Sequence, residues 1–316
     1  MIDQHPTSFA GIQPTPAWAF EQYESIRERL PSASARQAQP RLVDSLAPLM
    51  SEFDAFVFDA FGVLNTGPSV IPGALDRLAR LQADNKTVLV LSNAATASHP
   101  ALAIKYQHMG FDLDEETVIS SRWLLEQHLR QTPNPGIWGV IAPEKSQPET
   151  LPLPNNSTRT VRADVDEATL DGLDGFIFLS SEGWNETLQH RLTNSLTRRP
   201  RPVKVANPDL VAPRGDLLTL EPGYFSHLAA TATGASLEFF GKPFATAFEA
   251  ALARLPGIDP ARVLMVGDTL HTDILGGQAA GMSTLLVTRH GALQGMDIQN
   301  CIRRSGIYPD FMTPSI

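Results

Sequence analysis

Cysteine is nearly absent. Cys301 is the only one in 316 residues, so no internal disulfide forms and no thiolate cluster can hold a metal. Positive charge is also scarce: 25 Lys and Arg stand against 34 Asp and Glu, a net charge of -9. That balance speaks against general nucleic-acid binding and against anionic membrane surfaces. No apolar run approaches the length of a membrane span. The opening segment, Met1 to Pro16, has no basic stretch leading into an apolar core of the secretory kind. The expectation is a soluble, cytoplasmic protein without a nucleic-acid or membrane partner. An anionic substrate is still allowed, because one metal ion and one lysine reverse the sign locally. The chain is 42% hydrophobic and 19% charged, as in ordinary globular proteins, and its length suffices for two cores.

What is present is organised around Phe56 to Gly67. The apolar run Ala55 to Phe58 reads as a buried strand that stops abruptly at Asp59, before a glycine-containing turn. Ligands of open α/β sheets bind at the carboxyl ends of strands, so Asp59 is a site candidate. A lone Asp there more often caps a turn. The spacing then predicts a helix over 74–83 and a second buried strand over 87–91 ending in Ser92-Asn93, a βαβ unit with parallel strands. Further helices are expected over 101–109 and 122–130.

From about Thr132 to Pro213 prolines punctuate the chain, and strands read at 137–141, 175–179 and 203–206 with a helix at 186–196. This predicts a second αβ module inserted into the first. The sequon-like Asn155-Asn156-Ser157-Thr158 reads as a surface loop. The return to the first module is expected with a helix over 225–234. Gly241-Lys242-Pro243 follows, then a helix to Leu255 in which Pro243 suits the first position and Lys242 faces an anion at the helix start. A strand over 262–266 runs into Gly267-Asp268 and on to His271 and Asp273, and the last strand is expected at 284–288. The expected division is 1–41 extension and linker, with one helix over 16–30; 42–131 core; 132–213 inserted module; and 214–316 core again.

Strand ends and helix starts thus carry Asp59, Ser92, Asn93, Lys242, Asp268 and Asp273. Carboxylates with one hydroxyl and one ammonium suit a hard divalent cation, Mg²⁺, together with an oxyanion such as phosphate. Singly each residue is unremarkable; in this order at one sheet edge they describe a site.

Four segments then match in order: Asp59-Ala60-Phe61-Gly62-Val63-Leu64, Leu91-Ser92-Asn93, Gly241-Lys242-Pro243, and Gly267-Asp268 with Asp273. In these the chain resembles the haloacid dehalogenase superfamily. Ile71-Pro72-Gly73-Ala74 and Ala206-Asn207-Pro208-Asp209 resemble its NagD-like subgroup of sugar, nucleotide and p-nitrophenyl phosphatases. The resemblance covers about residues 43 to 295. It implies an α/β fold, a Rossmann-like parallel core with an inserted αβ cap, and Mg²⁺-dependent hydrolysis of a small phosphorylated metabolite. By it Asp59 is the nucleophile forming an aspartyl-phosphate. Asp59, Asp268 and the backbone carbonyl of Phe61 bind the metal, Asp273 supports them, and Ser92, Asn93 and Lys242 hold phosphate. Dimerisation through the cap is a habit of that subgroup.

One departure stands out. Phe61 occupies the position where these phosphatases carry a second Asp, the general acid and base, a function generally worth roughly 10²–10⁴-fold. Weakened acid–base catalysis is therefore expected, with His271 the nearest substitute. The alternative is a degenerate relative that binds a phosphometabolite without useful turnover. Substrate choice is expected from the cap, around Asn207 to Pro213 and Gly183-Trp184. Ala212 stands where the pyridoxal phosphate phosphatases have a substrate-contacting His, so that substrate is not supported.

Overall fold

The computed structural model describes residues 5–33, 39–214 and 217–316. Ala55–Phe58 forms a central strand of a seven-stranded sheet. By residue number the order is 41–42, 311–313, 283–287, 263–267, 55–58, 87–92 and 118–120. Every neighbouring pair is parallel. The chain fills one side of Ala55–Phe58 first and returns to fill the other, beginning with Val263–Gly267. The strand order therefore reverses between these two strands, and a crevice opens at their carboxyl ends. Phe58 pairs with Val266 on one side and Val90 on the other, which sets Asp59, Asp268 and Ser92 near one level. All four residues of Ala55–Phe58 are buried, and Phe56 and Phe58 each contribute roughly 1.5–3 kcal/mol of apolar burial. The crossover helix Ala74–Ala83 has the predicted bounds and buries Ala74, Leu78 and Leu81.

The second module holds a five-stranded parallel sheet in the order 158–161, 138–141, 175–178, 203–205, 237–239. This moves the expected boundary. Leu237–Phe239 pairs with Val203–Val205, and the helix Pro222–Thr233 packs Phe225 and Ala229 into a cluster with Phe176, Phe178 and Val205. The chain returns to the first sheet after Phe239, not at residue 214. A helix–strand pattern gives the elements but not the sheet they join, which is why the sequence misplaced the return. Thr158–Val161, the hairpin Val211–Arg214 with Leu217–Leu220, and the edge strands Arg41–Leu42 and Phe311–Thr313 are too short to announce themselves in composition. Asn155 and Asn156 lie exposed in a loop, as expected.

The extension folds onto the body. Its helix, Pro16–Ser25, starts at Thr15, whose hydroxyl accepts from the Trp18 amide at 3.1 Å, with Pro16 at the first position. Ala19 and Tyr23 join the apolar cluster of the second module, whereas Phe20 joins Leu270, Ile274 and Leu286 of the first. The helix is thus wedged against both. Of the expected linker over 31–40, residues 34–38 lie outside the described residues.

Candidate active site

Asp59, Ser92, Asn93, Lys242, Asp268 and Asp273 all line one cavity of about 310 Å³, and all six are buried. Asp59 follows the central strand, its amide donating to the Val266 carbonyl at 2.8 Å. Lys242 is 2% exposed and its ammonium reaches both the Asp59 carboxylate and Asp273 Oδ1, the latter at 2.8 Å. Asp273 sits in a π-helical turn, Leu270–Ile274, and its Oδ2 accepts from the amides of Asp268 and Thr269 at 3.1 and 3.0 Å. Asp268 accepts from Thr269 Oγ1 at 3.0 Å and from the Ala292 amide at 2.8 Å.

Two glycines make this approach possible. A Cβ on Gly62, whose φ is +86°, would stand 2.5 Å from Asp268 Oδ2. One on Gly267 would stand 2.1 Å from the Asp273 Cβ.

Asn93 has a different task from the one its motif suggests. Its Oδ1 accepts from the Lys242 amide at 2.8 Å and from Ser121 Oγ at 3.1 Å. Its Nδ2 donates to the Lys242 carbonyl at 3.0 Å and to Asp209 Oδ1 at 2.8 Å. Both donors and both acceptor sites are used. The side chain therefore aligns Lys242 and Asp209, and only its backbone remains for a phosphate oxygen. The Lys242–Pro243 bond is cis, and the following helix runs Ala245–Leu252 with Phe244 as its cap, so Pro243 precedes the helix instead of opening it.

The electrostatics follow from four carboxylates, Asp59, Asp209, Asp268 and Asp273, around one ammonium. Burial pushes the Asp59 carboxyl up from 3.8 to about 7 against the opposing pull of Lys242, with Asp273 adding to the rise. Asp268 is raised well above the carboxylate range by burial and by Asp59 and Asp273. Burial also lifts Asp209 to about 8. Burial disfavours the Lys242 charge, but Asp273, Asp59 and Asp209 outweigh it and raise its pKa. The site holds more negative charge than one lysine offsets. Oxygens of Asp59, Asp268 and Asp273 lie within 4.8 Å of one another, an all-oxygen buried donor set that fits a hard divalent cation.

Phe61 also lines the cavity, half-buried, with Lys105 Nζ 5.2 Å from its ring centroid. His271 is neither a substitute acid nor a solvent-facing loop residue. It is 1% exposed, stacked on Tyr23 and paired through Nε2 with Glu24 at 2.5 Å, away from the cavity wall. Trp184 likewise turns away, donating to Gln189 Oε1 at 2.8 Å, whereas Asn207, Asp209, Val211, Ala212 and Pro213 do line the cavity. Glu221, Arg214 and Lys145 also line it, and so does His5 from the extension. No local pattern around His5 marks it as a site residue.

Two family models match this chain, one described as haloacid dehalogenase-like hydrolase over residues 56–150 and one as HAD-hydrolase-like over 239–311. Human chronophin is 33% identical over 254 residues, covering 77% of this chain and 83% of that protein. The chain belongs to the haloacid dehalogenase-like hydrolases. Glycerol-3-phosphate phosphatase of Gallus gallus is 29% identical over 293 residues, covering 85% of this chain and 91% of that protein. Among solved structures, a possible sugar phosphatase from Cytophaga hutchinsonii superposes with a TM-score of 0.75 at 27% identity, covering 87% of this chain and 98% of that one. These relatives place the chain in the NagD-like, C2-capped subgroup, and the parallel core with its second αβ module is the corresponding architecture.

Proposed function

We propose that this protein is a phosphatase acting on a small phosphate monoester through an aspartyl-phosphate on Asp59, with Mg²⁺ held by Asp59, Asp268 and the backbone carbonyl of Phe61. The observation that carries this reading is the Lys242 ammonium shared between buried Asp59 and Asp273 at the strand-order reversal, with a third carboxylate, Asp268, beside them. When bound, Mg²⁺ would offset charge between the Asp59 carboxylate and the phosphoryl oxygens.

The chain's own residues do the rest. Asp59 must be ionised to attack; its carboxylate forms a bond to phosphorus as the ester P–O bond breaks. The bonding pair leaves with the ester oxygen, which takes a proton from solvent water to become an alcohol; the water that later attacks phosphorus gives a proton back. Water then attacks phosphorus, releasing phosphate and restoring the Asp59 carboxylate. Lys242 and Ser92, with the backbone around Asn93, hold the phosphoryl oxygens. Asp273, fixed by two amides, keeps Lys242 and the Asp268 turn in place. The Phe61 ring offers the leaving oxygen no proton. Lys105, beside that ring, places a positive charge on the same wall, which favours a departing anion.

A multiple-turnover phosphate-release screen over many esters, with Mg²⁺ and with chelator, tests this. Metal-dependent turnover of at least one ester is expected. Binding of phosphoryl mimics without any turnover would favour the degenerate binder instead, the reading that Phe61 supports.

A further inference from the structure

We propose that the N-terminal extension, anchored on the body through residues 6–30, contributes His5 to the wall of the substrate pocket, and that His5 is a specificity-determining residue for hydroxyl groups on the leaving-group side. This rests on the phosphatase reading above. His5 is 6% exposed and lines the same cavity as the carboxylates around Lys242, beside Ser181 and Glu221 of the second module. Its Nδ1 lies 3.2 Å from Ser181 Oγ. That hydroxyl already donates to the Leu220 carbonyl at 2.6 Å, so it accepts from His5, and Nδ1 carries the proton.

Around His5 the wall is a mosaic of fixed donors and acceptors. Glu221 is 2% exposed and held on both oxygens, by Thr219 Oγ1 at 2.8 Å and Asn207 Nδ2 at 3.2 Å; its Oε1 lies 3.6 Å from His5 Nδ1 and from Arg214 Nη2. Lys145 pairs with Glu182 at 2.7 Å, and Glu182 is 3.9 Å from His5 Nε2. Among the described residues two cations and two carboxylates nearly cancel, so a second anionic group on the substrate gains little here. Hydroxyl groups, which donate and accept at once, match the mosaic. Among the described residues the benzene-type ring lining the cavity is Phe61, on the opposite module, so a planar leaving group would find only the His5 imidazole to stack on at this wall. A volume of about 310 Å³ is at the small end for ligand sites and suits a short polyol phosphate.

The segment is anchored well enough to act as a wall. The Pro6 carbonyl accepts from the Leu220 amide at 2.8 Å, extending the Val211–Arg214 hairpin toward His5. Phe9 packs edge-on against Phe225 at 5.1 Å. Farther along, the Tyr23 hydroxyl accepts from the Leu210 amide at 3.1 Å while its ring stacks on His271, so one side chain ties the second module to the turn that carries Asp273.

The test uses the full-length chain with His5→Ala and His5→Gln, the latter placing an amide atom near the Nε2 position, since Nδ1 is engaged with Ser181. Values of kcat/KM are measured with Mg²⁺ for an aryl phosphate and for short polyol phosphates, beside thermal melts. For His5→Ala the polyol-to-aryl ratio is expected to fall about tenfold or more, through KM, as for loss of a hydrogen bond to a substrate hydroxyl; His5→Gln recovers part of it. An unchanged ratio in a folded His5→Ala variant overturns the proposal, as does a wild type that turns over aryl phosphate but gains nothing from hydroxyl groups. Absence of any metal-dependent turnover in the wild type would instead refute the phosphatase reading, and this proposal with it.

Discussion

Phe61→Asp places a carboxylate at the position where the family resemblance implies a general acid. With a phenyl ring at position 61, the leaving oxygen receives no proton from that position, so the rate should depend steeply on how stable the departing anion already is. Aryl and acyl phosphates should react far faster than alkyl phosphates of similar size. A general acid is generally worth roughly 10²–10⁴-fold, and the gain from Phe61→Asp should fall near 10²-fold for alkyl esters, with little change for aryl ones. The lower end is set by Lys105, whose ammonium is 5.2 Å from the Phe61 ring and would hold an introduced carboxylate ionised, the wrong state for an acid. Lys105→Met added to Phe61→Asp should raise alkyl turnover further. The ring packs against the apolar cluster beneath Asp59, so its loss costs about 1–3 kcal/mol of stability, and melts must accompany the kinetics. The assay is kcat/KM across a series of esters, plotted against leaving-group pKa. A flat plot in the wild type would show that another residue already supplies the proton, and the reading of Phe61 as a lost acid would be wrong.

Asp268→Ala should weaken Mg²⁺ activation more than Asp273→Ala does, because Asp273 is spent on two amides and Lys242; equal losses in a metal titration would erase that distinction. Lys242→Met should lower phosphate release at least about 10²-fold and shift the activity limb of Asp59, since it removes the charge that opposes its raised pKa; an unaltered profile would count against Lys242 as a phosphoryl ligand. In metal-free protein, Asp59 and Asp209 should contribute less stability as pH rises from about 4 to 8, a trend that His227, which burial holds down to about 4, offsets in part below about 6.5. Across that window folded Asp59, raised to about 7, and Asp209, raised to about 8, keep protons that the unfolded chain has already lost near 3.8. For Asp59 alone the decline is on the order of 4 kcal/mol. Added Mg²⁺ should flatten it by favouring the ionised carboxylates, and identical pH profiles of melting with Mg²⁺ and with chelator would contradict the metal assignment.

The sequence made the parts of this site legible wherever a local pattern decides. An apolar run ending in Asp59 before Gly62 is a strand and a turn whatever surrounds it, and the helix over 74–83 follows from its own periodicity and the Pro72-Gly73 stop. Partnership is not local. Nothing in the residues Leu237–Phe239 says that they complete the second sheet, because the same apolar pattern fits either one. Asn93 looked like a phosphate ligand from its motif, and only the three-dimensional contacts show its side chain fully occupied in holding Lys242 and Asp209. His271 looked available from its loop until Tyr23 and Glu24, about 250 positions earlier, were seen to cover it. The extension has the composition of an appendage, and its contribution of His5 to the cavity arises from packing against Ser181 and Leu220, which no spacing encodes.

The central claim is that Asp59 becomes covalently phosphorylated. Acid-quenching the enzyme during turnover of an aryl phosphate, reducing with borohydride and mapping peptides by mass spectrometry reads this directly, because an aspartyl-phosphate is reduced to homoserine and a free carboxylate is not. Homoserine at position 59 in the wild type, absent from Asp59→Asn along with all but about a thousandth of the turnover, is the predicted result. Steady turnover with no modification at position 59, or turnover that survives Asp59→Asn, would contradict it.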